Sequence, residues 1–591
     1  MCASLLFIAT LAALGQVEPV LTVTDRAVVT ELQASGLDLA TRLGAAPGAS
    51  NAVMDAQTGW RVITRVVARD LREIARRDSR AGTGMGYAHR LFDSSWLRSE
   101  DARFDLVGVV NRLDRHPFDP DACGEVRLVY RLAYRGSGRT DAVESRLPMT
   151  VNLVFWQPGQ SGEVQCVGVA RRWFVPASLS REDPRGFAAW LRSDAGPLSE
   201  PRLSTDNLKS LEVNIQSVRW PSTVHPTLGG HAEYILRVFR YTAEGFRTAR
   251  LENTPDVGKL RRSANLRRRL LSWLGDPVNL DQIDRGVAVL PEEFLATRSV
   301  SVTPRGLARR ANRPFRQLFS PDKLADLPLD GRTHIGSPVA LLRRLDGRTC
   351  AGCHESRSVA GFHLLGEDQA SMHVDALAVA RSPHLVADQA RRRAYLKAWA
   401  RGHTPDGGRG VAERLEREGG YGSHCGLGDP GLAHWTCAQG LRCRAVDEPE
   451  VGMCLPASPE VGDPCQVGDL KTGDEGHRDR VRNTRAWPCG EGQICETNRV
   501  GFPGGMCAAT CDDLAPEGAC GSIALLTPFN RCLARGRPFP ICVRDNVRPA
   551  GLRRCDDDAP CRDDYVCART SQGDGTCLPP YFLFQLRVDG H

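Results

Sequence analysis

Sixteen of the 21 cysteines fall between Cys425 and Cys577, and they recur in fours. The groups are Cys425, Cys437, Cys443, Cys454; Cys465, Cys489, Cys495, Cys507; Cys511, Cys520, Cys532, Cys542; and Cys555, Cys561, Cys567, Cys577. In the first, second and fourth groups the middle pair is spaced C-x5-C, and the last cysteine follows a glycine with one residue between, as in GMCLP, GMCAA and GTCLP. Each unit is too short to bury a sufficient apolar core and depends on two disulfides. Four cysteines allow three pairings per unit, so connectivity stays open at this level.

This density fits an oxidising compartment and not the cytosol. The N-terminal stretch MCASLLFIATLAALGQ carries an apolar run that is too short to span a bilayer and closes on a small-x-small pattern before Gln16. It reads as a secretory signal over residues 1–16, although it lacks a basic n-region, which points to a misplaced start codon. No lipobox precedes Cys2, and no later stretch is apolar enough for a membrane span. The expectation is an exported protein of the periplasm or cell surface.

At 591 residues the chain exceeds what one core sustains. Gly 58, Pro 37 and a 6% aromatic content argue for much loop and against long helical bundles. The net charge of +7, from 77 basic and 70 acidic residues, is small and dispersed, so nucleic acid is not implied. Arginine clusters such as Arg267 to Arg269 and Arg391 to Arg393 read as solvated helix faces or helix ends, with contact to an acidic envelope polysaccharide or lipid head group as the alternative.

Residues 17–337 predict an α+β domain. Val62, Ile63, Val66, Val67, Leu71 and Ile74 in RVITRVVARDLREIARR form one apolar helical stripe. The runs FDLVGVVNRL, EVRLVYRLAY, PMTVNLVFW, EVQCVGVARRWF, LEVNIQSVRW and AEYILRVFRY read as strands of a mostly antiparallel sheet, with a Cys123 to Cys166 bridge stapling neighbouring strands. Helices are expected around residues 258–274 and 300–311. Residues 338–418, which hold the CxxCH of Cys350, Cys353 and His354, read as a small helical haem-binding segment, and residues 419–580 as four disulfide-rich repeat units with little regular structure.

Within RTCAGCHESRSVAGFHL, the sequence Cys350-Ala351-Gly352-Cys353-His354 has the spacing of covalent haem attachment. Cys350 and Cys353 would form thioethers to one porphyrin, and His354 would bind the iron. His363 and Met372 are candidate distal ligands, with His373 and His384 as further options. A thioether there would raise the reduction potential relative to a second imidazole, and no protein ligand would leave the iron open. A structural disulfide, a CxxC redox pair and half a zinc site use the same residues.

Residues 348–418 resemble the c-type cytochrome class through CAGCH and its helical setting, and depart from small cytochromes in lacking a methionine at their usual longer distance. VVNRLD with CGEVRLVYR, LPMTVNLVF and CAGCHESRSVAGFHLLG resemble a group of large secreted proteins, myxobacterial in style, with one CxxCH between an N-terminal domain and a cysteine-rich tail. That resemblance implies a haem protein of the cell envelope.

The stretch NRLDRHPFDPDACGEVR adds a polar cluster of Asn111, Arg112, Asp114, Asp119, Asp121, Glu125 and Arg127, open as a carboxylate site or as charged strand ends. His225 and His231 flank PTLGG without an HExxH, and neither a GxSxG elbow nor a Walker A loop occurs. The expectation is therefore a mono-haem electron-transfer protein with a redox partner, its repeats contacting envelope polysaccharide or protein. A surface-binding protein with a vestigial or disulfide-bonded CxxCH and a peroxidase-like haem enzyme are the alternatives.

Overall fold

The computed structural model describes residues 18–81, 92, 94–135, 144–158, 163–180, 182–219, 231–302, 312–356, 383–411, 418–419, 423–445 and 450–457, together with short segments of the later tail. The signal-like start, His363, Met372, His373 and the third cysteine group lie outside the described residues.

The main sheet is antiparallel throughout, in the order β1 (Thr22–Val23), β2 (Ala102–Arg112), β3 (Ala122–Arg135), β4 (Glu144–Pro158), β5 (Leu208–Arg219), β6 (His231–Thr242) and β7 (Gly245–Thr248). β8 (Ser299–Val302) pairs with residues 233–236 of β6, on the edge that β7 takes up further along. Side chains alternate between the sheet's faces. Val126, Leu128, Tyr130 and Leu132 of β3, with Val151 and Leu153 of β4 and Leu211 and Val213 of β5, enter one apolar core. The opposite face carries buried Glu125, Arg127, Asn152 and Glu212.

Helix α1 (Thr58–Ala81) covers the apolar face through Ile63, Val67, Leu71 and Ile74 of the expected stripe and through Trp60, with Val62 and Val66 half-buried at its side. Asp70 on that helix makes a bidentate pair with Arg237 of β6 at 2.6 and 2.7 Å, both residues buried.

Two assignments from sequence are corrected. EVQCVGVARRWF contains a helix, α2 (Glu163–Arg171), not a strand. Its β-branched valines favour strand locally, but Cys166, Val169, Ala170 and Trp173 recur at helical spacing and all enter the core, so burial of that stripe prevails over propensity. Cys166 does bond Cys123, joining a helix to β3 rather than two strands. Of the helix expected around residues 300–311, the first residues belong instead to strand β8, because β6 offers an unpaired edge to the alternating pattern of Ser299–Val302, and residues 303–311 lie outside the described residues.

Helix α3 (Pro184–Arg192) adds Phe187, Ala188 and Leu191 to the sheet core. A second core gathers Leu270 and Leu274 of α4 (Ala264–Leu274), Leu280 and Ile283 of α5 (Pro277–Arg285), and Leu341, Leu342 and Leu345 of α6 (Pro338–Asp346). Residues on both sides of position 338 thus share one core. Helix α7 (Cys350–Ser356) follows α6 directly, whereas Tyr395, Leu396, Trp399 and Ala400 of α8 (Pro383–Ala400) pack into the sheet core. No helix among the described residues is long and apolar enough to cross a membrane.

The first tail unit forms a three-stranded sheet in the order His424–Gly426, Val451–Pro456, Leu441–Ala445. Cys425 bonds Cys443 and Cys437 bonds Cys454, first to third and second to fourth. Leu432, Trp435 and Val451 pack on Val339 and Ala340 of α6, and buried Arg343 lies 3.0 Å from His424 Nδ1. The disulfide-rich tail therefore begins as part of the body that carries α7.

The fourth unit repeats this register. Cys567 faces Cys577 and Cys555 faces Gly575, as Cys443 faces Cys454 and Cys425 faces Gly452. In the second unit Cys495 faces Cys507 in the same way. Mass mapping of unreduced protein is expected to link Cys465 to Cys495, Cys489 to Cys507, Cys555 to Cys567 and Cys561 to Cys577. A first-to-second linkage in either unit would show that equivalent register does not carry equivalent pairing.

Candidate functional site

Helix α7 is seated by the two residues between its cysteines. Thr349 begins it, its hydroxyl accepting from Gly352 N at 3.0 Å and donating to the Asp346 carbonyl at 2.8 Å. The Cys350 amide donates to Thr254 Oγ1 at 2.9 Å. Ala351 is 4% exposed and packs against β8, where Ser301 Oγ donates to its carbonyl at 3.5 Å. A Cβ on Gly352 would overlap the Asp346 carbonyl oxygen and crowd that of Asn312, so only glycine allows this approach. The small residues face inward for these reasons.

Cys350 and Cys353, three residues apart on α7, are half-buried, and neither is in a disulfide. Burial pushes the Cys350 thiol up to about 12, against the opposing effect of the Thr254 hydroxyl. At neutral pH Cys350 is a neutral thiol rather than a thiolate, which is the opposite of what a CxxC redox nucleophile requires. His354 lies on α7 with its side chain outside the described residues, as is that of His384 on α8. Cys425, Cys437 and Cys454, whose sulfurs lie within 4.8 Å of one another, are all committed to disulfides and do not form a thiolate metal site.

The thiols border an ionic network on the polar side of the sheet. Arg127 pairs with Glu125 at 3.1 Å and with Glu212 at 2.9 Å, while Asn152 donates to Glu212 at 3.3 Å. Lys209 pairs with Glu125, and Arg115 with Glu252. The guanidiniums of Arg115, Arg348 and Arg409 stand 4.1, 5.2 and 4.9 Å from the Phe118 ring centre. Burial pushes Arg348 down to about 10, with Glu252 opposing and Arg115 adding to the shift.

The structure divides the polar cluster noted in NRLDRHPFDPDACGEVR. Asp114 and Glu125 are buried, whereas Asp121 is exposed and Asp119 half-buried at a turn. Burial alone would raise the two buried carboxyls; Arg112, Arg409 and Arg391 hold Asp114 well below the usual range, and Lys209, Arg115 and Arg127 do the same for Glu125. Each is saturated by cations, so the cluster is an ion-pair network and not a set of carboxylates open to a metal.

Arg391 and Arg392 are not a solvated face, whereas Arg393 is partly exposed and pairs with exposed Glu18 at 2.6 Å. Arg392 is 2% exposed, and Arg391 reaches Asp114 at 2.6 Å. Sequence reasoning missed this because the partner lies 277 residues away. The available signal was the helical register of Arg392 with Tyr395, Leu396 and Trp399, which places it on the stripe that α8 buries.

No family model matches the chain, and neither a curated protein nor a solved structure matches it significantly.

Proposed function

We propose that this chain is an exported c-type cytochrome-like protein of the cell envelope, carrying one covalently attached haem through which it exchanges single electrons with a redox partner. The observation that carries the reading is the seating of α7: Ala351 and Gly352 are buried against backbone, while the flanking Cys350 and Cys353 stay out of any disulfide and half-buried on one helical turn that ends in His354. Thioether formation needs that arrangement of two thiols with a histidine directly after them.

Cys350 and Cys353 would hold the porphyrin and His354 the iron, and the bound group would supply one-electron redox chemistry. The chain's own part is to fix the turn and to surround it with a buried ionic shell. Export is supported by the disulfides Cys123–Cys166, Cys425–Cys443 and Cys437–Cys454.

The test is expression with a periplasmic haem-maturation system. Denatured wild-type protein should keep its haem stain on a gel, and Cys353→Ala or His354→Ala should abolish it. Properly matured protein without haem mass, or with a Cys350–Cys353 bridge, would refute the proposal.

A further inference from the structure

Helix α8 brings Arg391 and Arg392 against Asp114, where Arg112 and Arg409 also converge. Arg112 Nε lies 2.9 Å from Asp114 Oδ1, Arg391 Nη2 lies 2.6 Å from Asp114 Oδ2, and Arg409 Nη2 donates to the same carboxylate and, at 3.0 Å, to the Asp114 carbonyl. Asp388 takes Arg391 Nε and Arg392 Nε, each at 2.7 Å. Among the described residues, four guanidiniums thus face two carboxylates. Arg112, Asp114, Arg392 and Arg409 are at most 5% exposed, and Arg391 and Asp388, at 24% and 16%, form the side open to solvent.

Among the described residues, Nη1 and Nη2 of Arg392, Nη1 of Arg391 and Nε of Arg409 are buried and have no hydrogen-bond partner. A buried N–H left unpaired is destabilising, more so on a charged group, and an excess of buried positive charge adds to the penalty. Burial accordingly pushes Arg112 down to about 10 and Arg409 well below its usual value, Asp114 notwithstanding. An oxyanion with two negative charges would balance the excess and accept from the unpaired donors.

We propose that Arg112, Arg391, Arg392 and Arg409 form a binding site for a dianionic oxyanion of the phosphate class. The site lies next to the CxxCH turn, since Arg409 and Arg348 share the Phe118 ring, and the ligand it fits is a free ion of that class.

The experiment uses the full chain with Cys350→Ala and Cys353→Ala, which cannot carry haem, so the outcome does not depend on the haem reading. Titration with inorganic phosphate in a calorimeter should give saturable binding, and Arg392→Gln should weaken it about tenfold or more, with Arg392→Lys intermediate. Arg391→Gln serves as the second variant should Arg392→Gln fail to fold. Phosphate binding unchanged in matured wild-type protein would assign the site to a free ion. No binding at millimolar phosphate by the haem-free chain, or binding unaffected by both variants, would overturn the proposal.

Discussion

Gly352→Ala is expected to loosen the helix that carries both cysteines, lowering the stability of its seat by about 3 kcal/mol, at the upper end for forced overpacking. The new Cβ meets backbone and not a side chain that could turn aside: the Asp346 and Asn312 carbonyls stand in its way. Asp346 is itself fixed, because its carboxylate accepts the Phe315 amide at 2.7 Å. Relief therefore requires α7 to move off α6. Hydrogen exchange should show lost protection at the Gly352 and Cys353 amides, which donate to Thr349. Gly168→Ala in α2 is the control, since nothing lies within 4 Å of its new methyl, and it should be neutral or stabilising by up to about 1 kcal/mol. Unchanged protection in Gly352→Ala would mean that glycine is not required at the turn.

Asp114→Ala should cost about 3–5 kcal/mol, because it strips the shared anion from three arginines and leaves their charges buried. Urea denaturation at neutral pH would reveal it as a lowered midpoint. A pH dependence accompanies the effect. The folded-state pKa of Asp114 is depressed, so its contribution is present above the unfolded value of about 3.9 and is lost as pH falls from there through the folded value. Glu252 and Asp388, each held down to about 2, act in the same direction. Wild-type stability should thus decline below about pH 4, and Asp114→Ala should decline less over that window. A variant as stable as wild type at neutral pH would show that the cluster contributes nothing to folding.

How far the site was legible in sequence follows from the range of each interaction. CAGCH could be read because its requirement is local: two thiols and an imidazole within five consecutive residues. That Ala351 and Gly352 are small was visible too, but the reason was not, as it depends on the carbonyls of Asn312 and Asp346 and on β8. Half of the ionic shell showed as the polar cluster from Asn111 to Arg127, but its partners Asp388, Arg391, Arg392 and Arg409 belong to distant segments, and arginine in a helical run looks the same in sequence whether solvated or buried.

By itself the sequence determined the strand alternation of β2 to β6, the stripe of α1, the CxxCH spacing and the fourfold cysteine pattern, all of which are short-range periodicities imposed by backbone geometry or covalent reach. Only the tertiary structure decided that the valine-rich stretch around Cys166 is helical, that Cys425 bonds Cys443 and not Cys437, that α8 joins the sheet core while α6 joins another, and that Arg392 is buried beside Asp114. These outcomes turn on which surfaces lose water together, and that depends on residues hundreds of positions apart, which no local pattern records.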